Sequence, residues 1–385
     1  MREVTEEMNG RTMDPSVPGL EGVVATTTRL SMVDGEAGRL VIAGFPVEEL
    51  AGRATFEETL YLLWNDALPD AGQLARLKED LAARRALPEA TTDLLGAAAA
   101  GLVPAMDALR MASGTLGSPD GDDRDDALRV VAAFPTVVAA YWRLSRGEDP
   151  VEPDPELSHA ANYLYMLSGE VPSDERARAL ETYLVAACDH GMNASTFAAR
   201  VIVSTRSDFV SAVTGAVGAL KGPLHGGAPG PALDMVFEIG KAERAEPYLR
   251  EKLEGGGRLM GFGHRIYKAR DPRADVLAEA AERLYTADAD KDLYRLAIAV
   301  ERTAVRLLAE YKPGRNLYTN VEYYTALVLH GLGIPTELFT PTFTASRAAG
   351  WTAHCFEQRE QDRIIRPQSE YVGAQDRAWV PLGGR

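Results

Sequence analysis

The chain has 385 residues, a formal net charge of −15, 46% hydrophobic and 25% charged residues. That is an ordinary balance for a soluble globular protein with material for two domains. Its acidity argues against extended nucleic-acid binding, which leans on basic surface. No uninterrupted apolar run approaches the ~20 residues of a membrane helix, and the Met1–Met8 start lacks the cationic-then-apolar order of a secretory signal. Two cysteines, Cys188 and Cys355, both in apolar helical surroundings, read as buried thiols in a reducing, cytoplasmic setting.

In chain order, residues 1–18 read as a mobile polar arm. Arg29–Ile42 reads as a β-hairpin with Asp34-Gly35 in its turn, almost the only persuasive strand signal. Thr55–Glu58 is a capping box opening a helix through Leu60, Leu63 and Trp64. Asp70 with Gln73 starts another, with Leu74, Leu77 and Leu81 on one face. Thr92–Arg110 and Leu128–Leu144 read as long apolar helices kinked by Pro104 and Pro135. Between them, Gly117–Asp126 is a solvated acidic loop without the closing glutamate of a calcium loop, and Arg146–Pro155 is a surface connection. Glu175–Cys188, Asp208–Leu220, Ala274–Leu284, Leu293–Glu310 and Pro341–Gln358 follow as helices. The last carries Phe343, Arg347, Trp351 and His354 along one stripe, and Asp208–Leu220 has the small-residue composition of a tightly packed or subunit-facing helix. The fold class is all-α with a short N-terminal hairpin.

Four segments carry candidate chemistry. Gly261–Arg273 packs His264, Arg265, Lys268, Arg270 and Arg273 into thirteen residues of an acidic protein. Asp271 is the local counterion, so an anionic ligand is the simplest reason for the rest. His225 lies in the helix-breaking run Gly222–Gly230, where it is either a functional imidazole or a loop histidine satisfied by carbonyls. His190, in Asp189-His-Gly-Met-Asn193, either serves a site or caps a helix C-terminus. Glu322, ahead of an apolar helix, is either a desolvated base or a helix-N-terminal acid favoured by the dipole. Arg347 and Arg366 add cations. No zinc-ligand spacing, Walker loop or dinucleotide fingerprint occurs.

Taken together, Asp189–Phe197, Gly222–Ala228, Gly261–Arg273 and Arg366–Gly373, in that order, resemble the citrate synthase family over roughly residues 19–373. The resemblance implies an all-α homodimer. Its large domain would comprise residues 1–223 and 327–385, with a small domain inserted at 224–326 that carries CoA-binding and catalytic elements. It implies oxaloacetate held by His190, His264, Arg273, Arg347 and the partner subunit's Arg366. It implies CoA held by Leu259, Met260, Gly261, Phe262, Gly263, Arg265 and Lys268. His225 would donate to the thioester carbonyl, Glu322 would act as base and His264 would polarise the oxaloacetate carbonyl. The expected reaction joins acetyl-CoA to oxaloacetate, giving citrate and CoA. The alternatives are 2-methylcitrate synthesis from propionyl-CoA, or a non-catalytic homologue that binds CoA or anions. Neither a metal nor a prosthetic cofactor is expected, and no nucleic-acid or membrane partner. The family's base is usually aspartate, whereas this sequence reads Asn320-Val-Glu322. With the backbone unmoved, the added methylene displaces the carboxylate by about 1.5 Å along the bond.

Overall fold

A computed structural model of the chain describes residues 17–118, 121–226, 229–263, 266–287 and 291–385. Most of the expected N-terminal arm, together with Pro119 and Asp120 of the acidic loop and the site candidates His264 and Arg265, lies outside these residues. Packing separates residues 28–364 from a second unit formed by residues 17–27 and 365–385. The second unit carries short 3-10 turns at Pro18–Leu20 and Leu382–Gly384, and Tyr371 donates from its hydroxyl to the Ala374 carbonyl at 2.7 Å.

The larger unit opens with an antiparallel sheet of β1 (Ser31–Asp34), β2 (Arg39–Ile42) and β3 (Phe45–Pro46). The hairpin is where the sequence places it, but Asp34 pairs with Arg39, and the turn itself is Gly35–Gly38. Asp34 Oδ1 braces that turn by accepting from the Glu36 and Ala37 N–H groups at 3.1 and 2.9 Å. Helices follow: α1 (Val47–Leu50), α2 (Phe56–Asn65), α3 (Ala71–Ala82), α4 (Glu89–Ala100), α5 (Ala105–Ser113), α6 (Asp123–Ser145), α7 (His159–Ser168) and α8 (Asp174–Ala187). The chain continues through α9 (Ala194–Val203), α10 (Phe209–Leu220), α11 (Pro229–Ile239), α12 (Ala242–Glu254), α13 (Pro272–Ala287), α14 (Lys291–Tyr311), α15 (Val321–Gly331) and α16 (Phe339–Gln361).

Both expected capping boxes are formed, Thr55 with Glu58 at α2 and Asp70 with Gln73 at α3. Pro104 does not kink one long helix. Gly101 closes α4, Leu102 turns left-handed at φ 52°, and Pro104 is the N-cap of α5. The proline lacks an N–H and disfavours helical backbone at the residue before it, so the break is cleanest there. Pro135, by contrast, sits inside an uninterrupted α6. The acidic loop ends earlier than the sequence suggests, because Asp122 caps α6 by accepting from the Asp125 N–H at 2.8 Å. That helix is long and apolar enough to cross a membrane by length and composition. Most of its apolar stretch is instead buried inside the protein, where α6 packs on α4, α5, α7 and α16. Cys188 and Cys355 are both free and buried.

The centre of the unit is α16, whose Arg347, Trp351 and His354 are all enclosed. Gly350 lets this helix lie directly on the chain leaving α8. A Cβ there would stand 2.4 Å from the Cys188 carbonyl oxygen and 2.7 Å from Asp189 Oδ1. Gly350→Ala is therefore expected to cost about 1–3 kcal/mol as overpacking. It should appear as a lower denaturation midpoint at unchanged slope.

Candidate active site

Helices α8, α13, α15 and α16 and the segments that connect them meet around a cavity of about 230 Å³, and His190, His225, Arg273, Glu322 and Arg347 all line it. Tyr183, Asn193, Thr325 and Phe343 complete much of the wall. His190 follows the end of α8, three residues past Ala187, and its Nε2 lies 3.0 Å from the Tyr267 hydroxyl. It does not itself cap the helix; Cys188 occupies that position.

His225 sits in a tight turn in which its own N–H and that of Gly226 both donate to the Gly222 carbonyl, at 2.9 and 3.1 Å. Its Nε2 lies 2.8 Å from Ser195 Oγ. The same hydroxyl donates to Asn193 Oδ1 at 2.7 Å and accepts from the Trp351 indole N–H at 3.0 Å. Trp351 occupies one lone pair, and the single Ser195 proton goes to Asn193; it reaches His225 only when the hydroxyl turns. Given to His225 Nε2, it leaves the Nδ1 hydrogen to donate elsewhere. Burial first, and then Arg347, pulls the His225 pKa down to about 4, so the ring is neutral at pH 7.

Arg273 opens α13 and forks onto Asp271, with Nε to Oδ1 at 3.0 Å and Nη2 to Oδ2 at 2.8 Å. Burial opposes its charge, but Asp271, joined by Tyr267 and Glu322, raises the arginine's pKa overall. Arg347 donates from Nε to the Ala187 carbonyl at 2.8 Å, and its guanidinium lies 4.6 Å from the centre of the Phe343 ring. Burial pushes its pKa down to about 10, which leaves it cationic at neutral pH.

Glu322 is placed by Asn320, which caps α15 by accepting from the Glu322 N–H at 3.1 Å. Burial pushes this carboxyl up to about 7 against the pull of Arg273; Asp271 adds to the rise and Arg347 opposes it. One cavity thus holds two arginines, a neutral imidazole and a carboxyl that titrates near neutrality.

The segment Leu259–Gly263 stands next to this site without lining it. Phe262 pairs antiparallel with Thr319, the Gly263 N–H donates to the Tyr318 carbonyl at 2.7 Å, and the Asn320 N–H donates to the Gly261 carbonyl at 3.0 Å. Gly261 has φ 84°, and a Cβ there would meet the Tyr323 ring at 2.8 Å. Only glycine permits that approach. Lys268 is exposed, and its backbone N–H donates to the Gly35 carbonyl at 2.8 Å. Arg366 is an exposed member of the unit formed by residues 17–27 and 365–385. His264 and Arg265 lie outside the described residues.

The family model for the citrate synthase C-terminal domain matches residues 19–368. The chain belongs to the citrate synthase family. It is 41% identical over 379 residues to the citrate synthase of Haloferax volcanii, covering 95% of this chain and 98% of that one. It is 39% identical over 375 residues to the 2-methylcitrate synthase of Shewanella oneidensis, covering 95% and 97%. Among solved structures it resembles the citrate synthase of Thermoplasma acidophilum in ternary complex with carboxymethyl coenzyme A and oxaloacetate. That match has a TM-score of 0.85 and 31% identity, covering 96% of this chain and 100% of that one. The helical architecture expected of a citrate synthase is therefore the one this chain adopts. Of the residues expected in the site, five converge on one cavity although they span positions 190 to 347. Tyr183 gives no such signal in the sequence. It stands among Leu180 and Leu184 on α8 and carries the pattern of a core aromatic, and it becomes a cavity wall only where α8 meets α15 and α16.

Proposed function

We propose that this citrate synthase family member is an acyltransferase that condenses acetyl-CoA with oxaloacetate, converting the acyl group to an alkyl group on transfer. The observation that carries the reading is the shared cavity. A carboxyl raised to about 7 and an imidazole lowered to about 4 line it together with two arginines. Glu322 takes a proton from the thioester methyl, and the His225 Nδ1 hydrogen meets the oxygen that gains charge as the enolate forms. That donor role requires the Ser195 hydroxyl to turn from Asn193 Oδ1 and donate to His225 Nε2, which then accepts and leaves the ring hydrogen on Nδ1.

Arg273, Arg347 and His190 hold the carboxylates of oxaloacetate, with Arg366 supplied by the partner of a homodimer. The methyl carbon, now a nucleophile, bonds to the oxaloacetate carbonyl carbon, and the new alkoxide takes a proton from His264. Water then cleaves the citryl thioester, releasing citrate and CoA. The Leu259–Gly263 backbone, Arg265 and Lys268 hold the CoA portion. Residues 224–326 act as a small domain that closes on the remainder and excludes water from the first step. The enzyme works in the cytoplasm without a resident cofactor or metal.

The 2-methylcitrate synthase relative, nearly as similar as the citrate synthases, supports a second reading with propionyl-CoA as donor. One methylene changes selectivity by only about 1–3 kcal/mol. The test is free-thiol release by purified protein with oxaloacetate plus either acyl-CoA, with saturation curves run in parallel. Oxaloacetate-dependent release is expected, and the ratio of kcat/KM values selects the donor. Folded protein that binds oxaloacetate yet releases no thiol with either donor would overturn the condensing reading in favour of a binding homologue.

A further inference from the structure

Behind the cavity, fully enclosed, runs a chain of polar groups that the proposed reaction does not use. Arg200 on α9 and His354 on α16 are both 0% exposed, as is Asp189. Arg200 Nη1 donates to His354 Nδ1 at 3.1 Å. A guanidinium can only donate, so Nδ1 accepts there and Nε2 is the ring nitrogen that carries a hydrogen. That nitrogen faces both oxygens of Asp189, 3.3 Å from Oδ1 and 3.4 Å from Oδ2. Asp189 also accepts from the Ser31 hydroxyl, and Ser31 Oγ accepts in turn from the Gly191 N–H at 2.8 Å. The series ends on the backbone on either side of His190. Arg200 is itself anchored by Glu357 Oε2 at 2.6 Å and Gln358 Oε1 at 3.0 Å.

The same turn supports Arg347. Its Nε is held by the Ala187 carbonyl, and its charge lies in the field of Asp189. Two turns along α16, on the same face, is His354. Of the two groups assigned to oxaloacetate on this side of the cavity, His190 is flanked by the residues this series ties down, and Arg347 is anchored on Ala187, two residues before Asp189.

We infer that Asp189, His354 and Arg200 form a positioning relay that sets the oxaloacetate half of the site, with His354 as the residue that orients Asp189. The inference rests on the oxaloacetate-binding reading of His190 and Arg347. Removing the imidazole leaves Asp189 buried with less to hold it, and a buried carboxylate in that state shifts toward any other donor. The turn that carries His190 then moves relative to Arg347. The acyl-CoA contacts, built on other segments, are not disturbed.

The experiment measures binding of oxaloacetate and of acyl-CoA by calorimetry, alongside KM values for both substrates. His354→Leu is expected to weaken oxaloacetate binding about ten- to a hundredfold, the scale of ångström-level misplacement, with the KM for acyl-CoA little changed. His354→Gln, which returns an N–H donor near the position of Nε2, should recover most of the loss. Ser31→Ala, at a half-buried position on β1, breaks the link to Gly191 and should weaken oxaloacetate binding in the same selective way; it decides the matter if His354→Leu does not fold. Unchanged oxaloacetate affinity in the folded variants, or equal losses for both substrates, overturns the relay. Because the readout is binding, wild-type protein that binds oxaloacetate without turnover would reject the condensing reading and leave this test intact. Wild-type protein that does not bind oxaloacetate would reject both.

Discussion

Glu322→Gln is expected to lower kcat for acyl-CoA-dependent thiol release by about 10²–10⁴-fold, the usual contribution of a positioned base. The amide keeps the shape of the side chain, so oxaloacetate affinity should be largely preserved. Turnover equal to wild type would remove Glu322 from the mechanism. The pH dependence follows from the same residue. Its carboxyl titrates at about 7, so kcat/KM should climb as pH rises through that value, with the proton leaving the base. Stability moves the other way. The native state holds this proton up to about 7, whereas the unfolded chain gives it up near the ordinary glutamate value of 4.5. Between those limits the native state binds more protons, so its stability falls as pH rises. Glu322→Gln should flatten that slope in denaturant titrations across the same window.

Arg347→Leu is expected to have the second large effect. A buried cation that pairs with a substrate carboxylate is worth about 2–5 kcal/mol when truncated. The dissociation constant for oxaloacetate should therefore rise by at least about 30-fold, measured by calorimetry, while acyl-CoA binding holds. Arg347→Lys should recover only part of the loss. An ammonium restores the point charge but not the planar fork that engages a carboxylate and the Ala187 carbonyl together. An oxaloacetate affinity unaltered by Arg347→Leu would place the dicarboxylate elsewhere.

Local signals are the most legible part of this fold. The capping boxes at Thr55 and Asp70 need only side chains three residues apart, and both form. Pro104 misleads because an apolar pattern runs on either side of it; Gly101 three residues earlier is the available sign of a stop followed by a new start. The helices α7, α9, α11 and α12 do not stand out in the sequence, and α7 and α9 become plain only with their caps, Ser158 and Asn193. The site follows the same division. His190, His225, Arg273, Glu322 and Arg347 can be named from motifs, because each sits in a short segment of unusual composition. Ser195 and Tyr183 cannot, since their roles arise from partners far away in sequence. His354 is visible on the Arg347 stripe, but its link to Asp189 spans 165 positions, and no short-range pattern encodes it.

The strap between Gly261–Gly263 and Tyr318–Asn320 bears on Glu322, where the family's base is usually aspartate. Asn320 is fastened three ways: its N–H to Gly261, its side-chain amide to Gly263 at 2.8 Å, and its side-chain oxygen to the Glu322 N–H. The first turn of α15 is therefore locked in register with the neighbouring loop and has no slack to slide backwards. A longer acid at position 322 is therefore accommodated by its own side chain, within the cavity it lines, and not by retracting the main chain. In the proposed reaction, the room left for an acyl tail is then set partly by the length of this side chain, and Glu322→Asp becomes a ruler: shortening the arm should open room at the far wall while leaving the helix where it is.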